Sequence, residues 1–542
     1  METDRINEYK NFGAMVCCAS NGVMKPEKVK ELIDLLSVMG YNLLELCIDD
    51  IYKIDGEPYF GYLRGGYTKE EVREMDEYAK SKGIELVPCI QVLAHLVNLV
   101  KIPEYSDITD IDDILLIDEP KTYRLIDKMI KFVSDNFSSK KINLCFDEAH
   151  HVGLGKYLDK HGYKDRYELL LKHLNKVCEM VDGYGLEPHI WSDMFFRLAN
   201  KGDYVGKGVV IPENVMKKIP ENLGLCYWDY YSEDEETYDE MFRAHEAFKR
   251  ELWFAGGAWC WSGFAPQNRM SLYRSKAAMK QVGKHGIKNV LITMWGDNGR
   301  DCSCFSVLPT LYAVRQYAVG NYDEESIKAG FEELFGVSFD DFMTLDIPNK
   351  NRSNPNLEKL DNSCKAMLYN DCFLGLRDYY FEKIDPVPYM EYAETLEQTG
   401  KRMGKYKYLF DNLAALCRVL DIKAGIGIKT RNAYKSGDKE LLKSMVGDYR
   451  EAADRLGIFR DTLRKVWMND NKPYGWDIQE IRLGGLKARR ASRSYRNSRF
   501  RTIDSSLIII SERPFPFILI YITSTLIILW AIRYARCSKR RR

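Results

Sequence analysis

The stretch Asp147-Glu148-Ala-His150-His151 puts two adjacent carboxylates and two imidazoles directly after the apolar run Ile142-Asn-Leu-Cys-Phe146. Side by side, two acids suggest proton transfer. At the end of a strand, though, neighbouring side chains point to opposite sides, which predicts two separate jobs rather than one shared proton. Such a pair can also cap a helix or hold backbone N–H groups, so its surroundings must decide. Asp-Glu-Ala-His also spells a helicase motif, but that chemistry needs G-x-x-x-x-G-K-[ST], which the chain lacks, as it lacks H-E-x-x-H. A metal site needs three or four convergent ligands, more than this cluster offers, so no metal is expected and the histidines read as supporting groups.

Residues of the same character follow the other apolar runs. Asp49 and Asp50 follow Leu43–Ile48, and His95 follows Ile84–Ile90. Trp191 and Asp193 close the run from Leu186, and Tyr227-Trp228-Asp229-Tyr230-Tyr231 closes the run from Leu223. Trp259 and Trp261 end the run from Leu252, and Trp295-Gly-Asp297 ends the run from Val290. Acids and aromatics dominate this set. Phosphates call for Arg, Lys or helix N-termini. Carboxylates that accept from hydroxyls, beside indole rings that cover apolar ring faces, suit a sugar.

The elements that must carry these residues are legible too. Counting Ala14–Cys18, eight β-branched apolar runs alternate with longer amphipathic stretches over the first 320 or so residues, as for strands buried on both faces. In Pro26–Leu36 the residues Val29, Leu32, Ile33 and Leu36 form one helical stripe, and Thr68 with Glu71 has the spacing of a capping box. Eight β-then-α units predict an α/β fold, a (β/α)8 barrel over residues 1–321, whose active sites lie at the C-terminal strand ends. The rival, a doubly wound open sheet for dinucleotides, lacks its G-x-G-x-x-G after the first strand. Residues 322–488 lose the strand runs and predict an α-helical accessory domain, a candidate homodimer surface, with a loop at Asp346–Pro355.

Composition sets the outer limits. The 542 residues are 45% hydrophobic and 29% charged, which excludes fibrous and disordered classes. The 14 cysteines are scattered without a C-x-x-C, so no disulfide framework is indicated, and the N-terminus has no apolar signal-like run; a reducing, cytoplasmic setting is expected. The formal charge of zero is a cancellation. Residues 489–542 hold 13 Lys+Arg and two acids, a net of +11, and leave −11 on the body, which argues against nucleic acid as a partner. Within this tail, Phe515–Ile532 is uncharged over eighteen residues, at the short limit of a membrane anchor; a disordered extension or a segment foreign to the fold are the other readings.

Asp147-Glu148, Tyr227-x-Asp229 and Trp295-Gly-Asp297, in that order on predicted strands 4, 6 and 8, resemble the family 20 glycoside hydrolases, the β-N-acetylhexosaminidases, in their compact bacterial and hexosaminidase D-like form. The resemblance implies an exo-acting, retaining enzyme that needs no cofactor and releases terminal β-linked GlcNAc or GalNAc. In that scheme the substrate's own acetamido oxygen attacks the anomeric carbon and gives an oxazolinium intermediate. It implies Glu148 as the general acid and base, Asp147 as the partner of the acetamido N–H, and Tyr227 as donor to the acetamido oxygen. His95, with Asp49 or Asp50, would tune the acid. Asp229 and Asp297 would bind O4 and O6, and Trp191, Trp259 and Trp295 would wall the site, with Asp193 among the substrate-binding residues. Two departures stand out: strand 1 (Phe12–Asn21) carries no substrate-binding Arg, and Asp297 stands where Glu is usual. They leave open a sugar-binding homologue without turnover, or a glycosidase for a sugar lacking the acetamido group.

Overall fold

The structure, a computed structural model, describes residues 9–206, 208–372, 374–384 and 386–499. Eight parallel strands close into a barrel: β1 (Asn11–Cys17), β2 (Leu43–Cys47), β3 (Glu85–Cys89), β4 (Lys141–Asn143), β5 (Glu187–Trp191), β6 (Gly224–Trp228), β7 (Leu252–Gly257) and β8 (Asn289–Met294). Each pairs with its neighbours in sequence, and β1 closes the ring on β8. Every apolar run read from the sequence coincides with a strand, because helices cover the outer face while the inner face is filled; β1 and β8 are buried at every position.

Helices α1 (Pro26–Val38), α2 (Lys69–Ser81), α3 (Pro120–Asn136), α4 (Arg166–Gly183), α5 (Asp193–Ala199), α6 (Glu235–Glu246), α7 (Asn268–Lys284) and α8 (Leu308–Ala318) follow the strands. Val29, Leu32, Ile33 and Leu36 form the buried stripe of α1. Thr68 caps α2 by accepting from the Glu71 N–H while the Glu71 carboxylate accepts from the Thr68 N–H, the reciprocal capping box that the spacing predicts. The fifth unit departs from the pattern: α5 has only seven residues and holds close to the C-terminal end of β5. A small antiparallel hairpin, 109–111 with 114–115, is inserted between β3 and β4. Its Asp110 carboxylate accepts from the N–H groups of Gly153 and Tyr157, both at 2.8 Å, and so props the chain that follows β4.

Inside the barrel, one set of buried polar groups satisfies itself across strands. His189 Nε2 lies 2.6 Å from Glu45, Asn143 donates to the second Glu45 oxygen at 3.1 Å, and the imidazole stacks on Trp253. Three thiols (Cys17, Cys47 and Cys89) stand on adjacent strands above this layer, and Cys145, just beyond β4, has its sulfur 3.4 Å from that of Cys89.

Beyond the barrel the chain is helical: α9 (Tyr389–Gly400), α10 (Lys407–Ser436), α11 (Lys439–Asp470) and α12 (Trp476–Arg499) pack in sequence-neighbour pairs. Gly437, in the left-handed region at φ 72°, turns α10 into α11. The stretch read as a loop begins instead inside a 3-10 helix, Met343–Asn349, where the buried Asp346 carboxylate accepts from the N–H groups of Asn268 and Arg269 at the start of α7. Helix α12 runs without a break through residue 488, where composition changes. The apolar run Phe515–Ile532 lies outside the described residues, and among those described no helix is long and apolar enough to cross a membrane.

Candidate active site

A cavity of about 350 Å3 opens at the C-terminal ends of the barrel strands. Strand β4 has only three residues, and the chain after it turns sharply: Cys145, Phe146 and Glu148 all have left-handed φ, at 63°, 74° and 53°. Three such residues in four positions mark backbone held in place by its surroundings. This turn changes the geometry expected of an ordinary strand end. Asp147 and Glu148 both face the cavity, and both approach the same nitrogen, His95 Nε2, at 3.2 Å and 3.7 Å. His95 is itself left-handed (φ 58°), and its Nδ1 faces Asp113 at 3.9 Å.

The charges around this centre are unequal. Burial disfavours an imidazolium at His95, but the carboxylates of Asp147, Glu148 and Asp113 outweigh it and carry its pKa to about 10. Burial likewise works against the Asp147 carboxylate, yet His95 and the amide of Gln91, which donates at 3.0 Å, hold its pKa below the usual carboxylate value. Asp193 is fully buried beneath the pair and accepts from the Glu148 N–H at 3.1 Å. Burial, then the charge of Asp147, push its pKa up to about 7 against the opposing pull of Arg197. Arg197, four residues on along α5, donates to Asp193 at 2.8 Å and to Glu148 Oε1 at 3.0 Å. Across the cavity, burial raises Asp297 to about 7.

The wall is aromatic: Trp191, Trp228, Tyr230, Tyr231, Trp261 and Trp295 line the cavity. Trp295 Nε1 donates to the Tyr230 hydroxyl at 2.9 Å, while the Trp191 indole N–H has no partner among the described residues. Strand β1 contributes Cys17, followed by Ala19 and Ser20, and β2 leads to Asp49. Among the described residues no lysine or arginine lines the cavity. Nor does any group of three or more His, Cys, Asp or Glu among them stand where it could hold a metal ion.

Of the residues predicted from sequence, His95, Asp147, Glu148, Trp191, Trp295 and Asp297 face the cavity together. Asp193 lies behind it. Three others do not reach it. Tyr227 is fully buried on the outer face of β6, packed against Phe242 and His245 of α6, and its hydroxyl donates to Asp229 at 2.8 Å. Asp229 is spent on that hydroxyl and on Tyr231 and Ser232, which donate to it at 2.6–2.9 Å. Trp259 is turned under Trp261, ring centroids 3.9 Å apart, with its indole N–H on the Trp261 carbonyl. The reason is strand parity: Cys226 and Trp228 point inward, so Tyr227 points out, and the chain beyond keeps Asp229 on the outer side. Asp50, likewise, turns away to pair with Arg64. Trp228, Tyr230, Tyr231 and Trp261, noted at strand ends but given no role, take the inward places. Gln91 and Arg197 went unread; the i, i+4 spacing of Asp193 and Arg197 on a helix was the available signal.

A closed (β/α)8 barrel whose strand-end cavity sets carboxylates against tryptophans has the build of a glycoside hydrolase. Comparison with known proteins narrows this. Residues 9–235 match the model of the "Glycosyl hydrolase family 20, catalytic domain", and residues 340–505 match the "Glycoside Hydrolase 20C C-terminal domain". The chain belongs to glycoside hydrolase family 20. It is similar to Hexosaminidase D of Homo sapiens, 21% identical over 344 residues that cover 58% of this chain and 67% of that protein. It is also similar to a Beta-hexosaminidase of Vibrio furnissii, 26% identical over 202 residues, or 34% of this chain and 32% of that one. Solved structures with a likeness include a GH20 exo β-N-acetylglucosaminidase of Vibrio harveyi in complex with N-acetylglucosamine (16% identity, TM-score 0.45) and a β-hexosaminidase mutant of Streptomyces plicatus in complex with GlcNAc (18%, 0.43). Each is matched over 60% of this chain, and over 58% and 69% of its own length. The match thus spans less than two thirds of the Vibrio proteins.

Proposed function

We propose that the protein is an exo-acting, retaining β-N-acetylhexosaminidase that cleaves terminal β-linked N-acetylhexosamines with help from the substrate's acetamido group. The observation that carries this reading is the convergence of Asp147 and Glu148 on His95 at the floor of a cavity walled by tryptophans.

In this reading Glu148 gives its proton to the glycosidic oxygen as the C1–O bond breaks, while the acetamido oxygen forms its bond to C1 from the other face. Glu148 then takes a proton from the water that opens the oxazolinium ring. Its Oε1 accepts from Arg197 and its Oε2 lies on the His95 side. Asp147, held ionised by His95 and Gln91, accepts from the acetamido N–H and stabilises the positive charge that grows there. The donor to the acetamido oxygen is assigned to Tyr230 in place of Tyr227, because Tyr230 lines the cavity and its hydroxyl is oriented by Trp295. Asp297 reads sugar hydroxyls, and Trp191, Trp228, Trp261 and Trp295 cover the sugar and its acetyl group. The barrel, residues 1–321, carries the chemistry, and the helical region from 322 supports it.

A panel of aryl β-glycosides tests the reading. The GlcNAc or GalNAc substrate is expected to be cleaved at least ~10²-fold faster than the glucoside or the free-amine glucosaminide, since an oriented internal nucleophile is worth that and more. Glu148→Gln should lose ~10²–10⁴-fold on leaving groups that need a proton, and Tyr230→Phe should lose far more than Tyr227→Phe. Equal rates on glucoside and acetamido sugar would overturn the mechanism, and a wild-type protein that binds but does not cleave would make it a sugar-binding homologue.

A further inference from the structure

The turn after β8 is strained and is held from outside the barrel. Asn298, Gly299 and Arg300 have φ of 64°, 115° and 58°, three left-handed residues in a row, directly after Asp297, which faces the cavity together with Asn298. Such a turn persists only where its surroundings fix it. Here most of the fixing comes from the C-terminal helices. Gln479 of α12, fully buried, donates to the Gly299 carbonyl at 2.8 Å and to the Asp301 carboxylate at 2.6 Å. Arg482, one turn further on, donates to the Asn298 carbonyl at 2.6 Å. Lys365, on the short helix Ser363–Tyr369, pairs with the buried Asp301. The barrel contributes Asn21, after β1, which donates both to the Gly299 carbonyl (3.2 Å) and to the Gly475 carbonyl just before α12 (3.0 Å), the Cys17 carbonyl, which accepts from Arg300, and the Ser262 N–H, which donates to the Asp297 carbonyl at 3.2 Å. Contact is close enough that a Cβ on Gly299 would stand 2.5 Å from Arg482 and 3.0 Å from Gln479.

We propose that Gln479, Arg482 and Lys365 are positioning residues for the substrate site: by clamping the Asn298–Arg300 turn they set where Asp297 and Asn298 meet the sugar. The C-terminal domain thereby determines substrate binding without touching substrate. The inference rests on the reading of Asp297 as a sugar-hydroxyl reader. It explains why Gln479, so far along the sequence from the barrel, is fully buried against the turn after β8.

The test combines a double-mutant cycle with a measurement that needs no turnover. Gln479→Leu and Lys365→Met in the full chain are expected to raise KM for an aryl β-GlcNAc at least tenfold with kcat within threefold, and Lys365→Arg to restore most of the loss. In an Asp297→Ala background Gln479→Leu should add less than twofold, because the reader it positions is gone. Amide exchange of residues 296–301 should accelerate at least tenfold in Gln479→Leu while that of β1 and β4 does not change. Full multiplicative losses in the double mutant, or unchanged exchange at 296–301, would overturn the clamp. A wild-type chain inactive on every acetamido sugar would instead count against the proposed function, and the exchange measurement would still decide the clamp.

Discussion

At the scale of single residues, the site is organised by one histidine among carboxylates that differ in charge. His95 is cationic well past neutral pH because three carboxylates face it, and that cation keeps Asp147 ionised in the space where Glu148 needs a proton. A carboxylate held ionised in this way is a permanent anion beside the proposed proton donor. Asp297 is the carboxylate whose charge changes near neutrality, since burial raises its pKa to about 7. Above that pH it is an anion that accepts strongly from sugar hydroxyls; below it, the protonated form is a weaker acceptor that gives up one of its sites to an O–H. KM for an aryl β-GlcNAc is therefore expected to rise as pH falls from 8 to 6, and the Asp297→Asn protein should lack this limb. A wild-type KM flat over that interval would show that Asp297 does not read the sugar. Residue types made much of this centre visible in the sequence, because carboxylates, His and Trp at strand ends have few structural reasons to gather. What they could not convey was direction: Tyr227, Asp229 and Trp259 have the right chemistry on the wrong side of the chain, one or two positions from the inward Trp228, Tyr230 and Trp261.

At the scale of elements, the strands were legible because parallel strands buried on both faces are continuous apolar runs, and α1 and α2 because stripe and cap agree. The turn after β4 was not. Its direction depends on left-handed residues that are neither Gly nor Asn, and those are imposed by tertiary contacts such as the Asp110 prop and the Asp193 bond to the Glu148 N–H. The barrel interior shows a second dependence on context. Glu45 and His189, from β2 and β5, are a buried pair in which neither partner reaches water. Glu45→Ala leaves the imidazole unpaired and is expected to cost about 3–5 kcal/mol in urea denaturation. A loss under 1 kcal/mol would mean that His189 is satisfied by Trp253 stacking alone.

At the scale of the molecule, charge divides the chain at residue 489, inside the unbroken helix α12. The body carries −11 and a cavity bordered by carboxylates, while the +11 balance lies in residues 489–542. The groups described as lining the cavity and as holding the turn after β8 all fall within residues 9–499. A chain ending at residue 499 is therefore expected to keep kcat/KM on an aryl β-GlcNAc within threefold of the full protein; a loss beyond tenfold would assign the tail a part in catalysis.

The contact of α12 with the turn after β8 also bears on how the protein is made. Asp297 leaves the ribosome long before Gln479, and at ~5–20 residues per second the interval is roughly 10–40 s. During that time the barrel strands are all synthesised and free to close, yet the turn carrying Asp297 and Asn298 is held by Asn21, by Ser262 and by the bond of Arg300 to the Cys17 carbonyl, without Gln479 and Arg482. A nascent chain halted before α12 should thus present a folded barrel with an unfinished sugar site, which α12 completes.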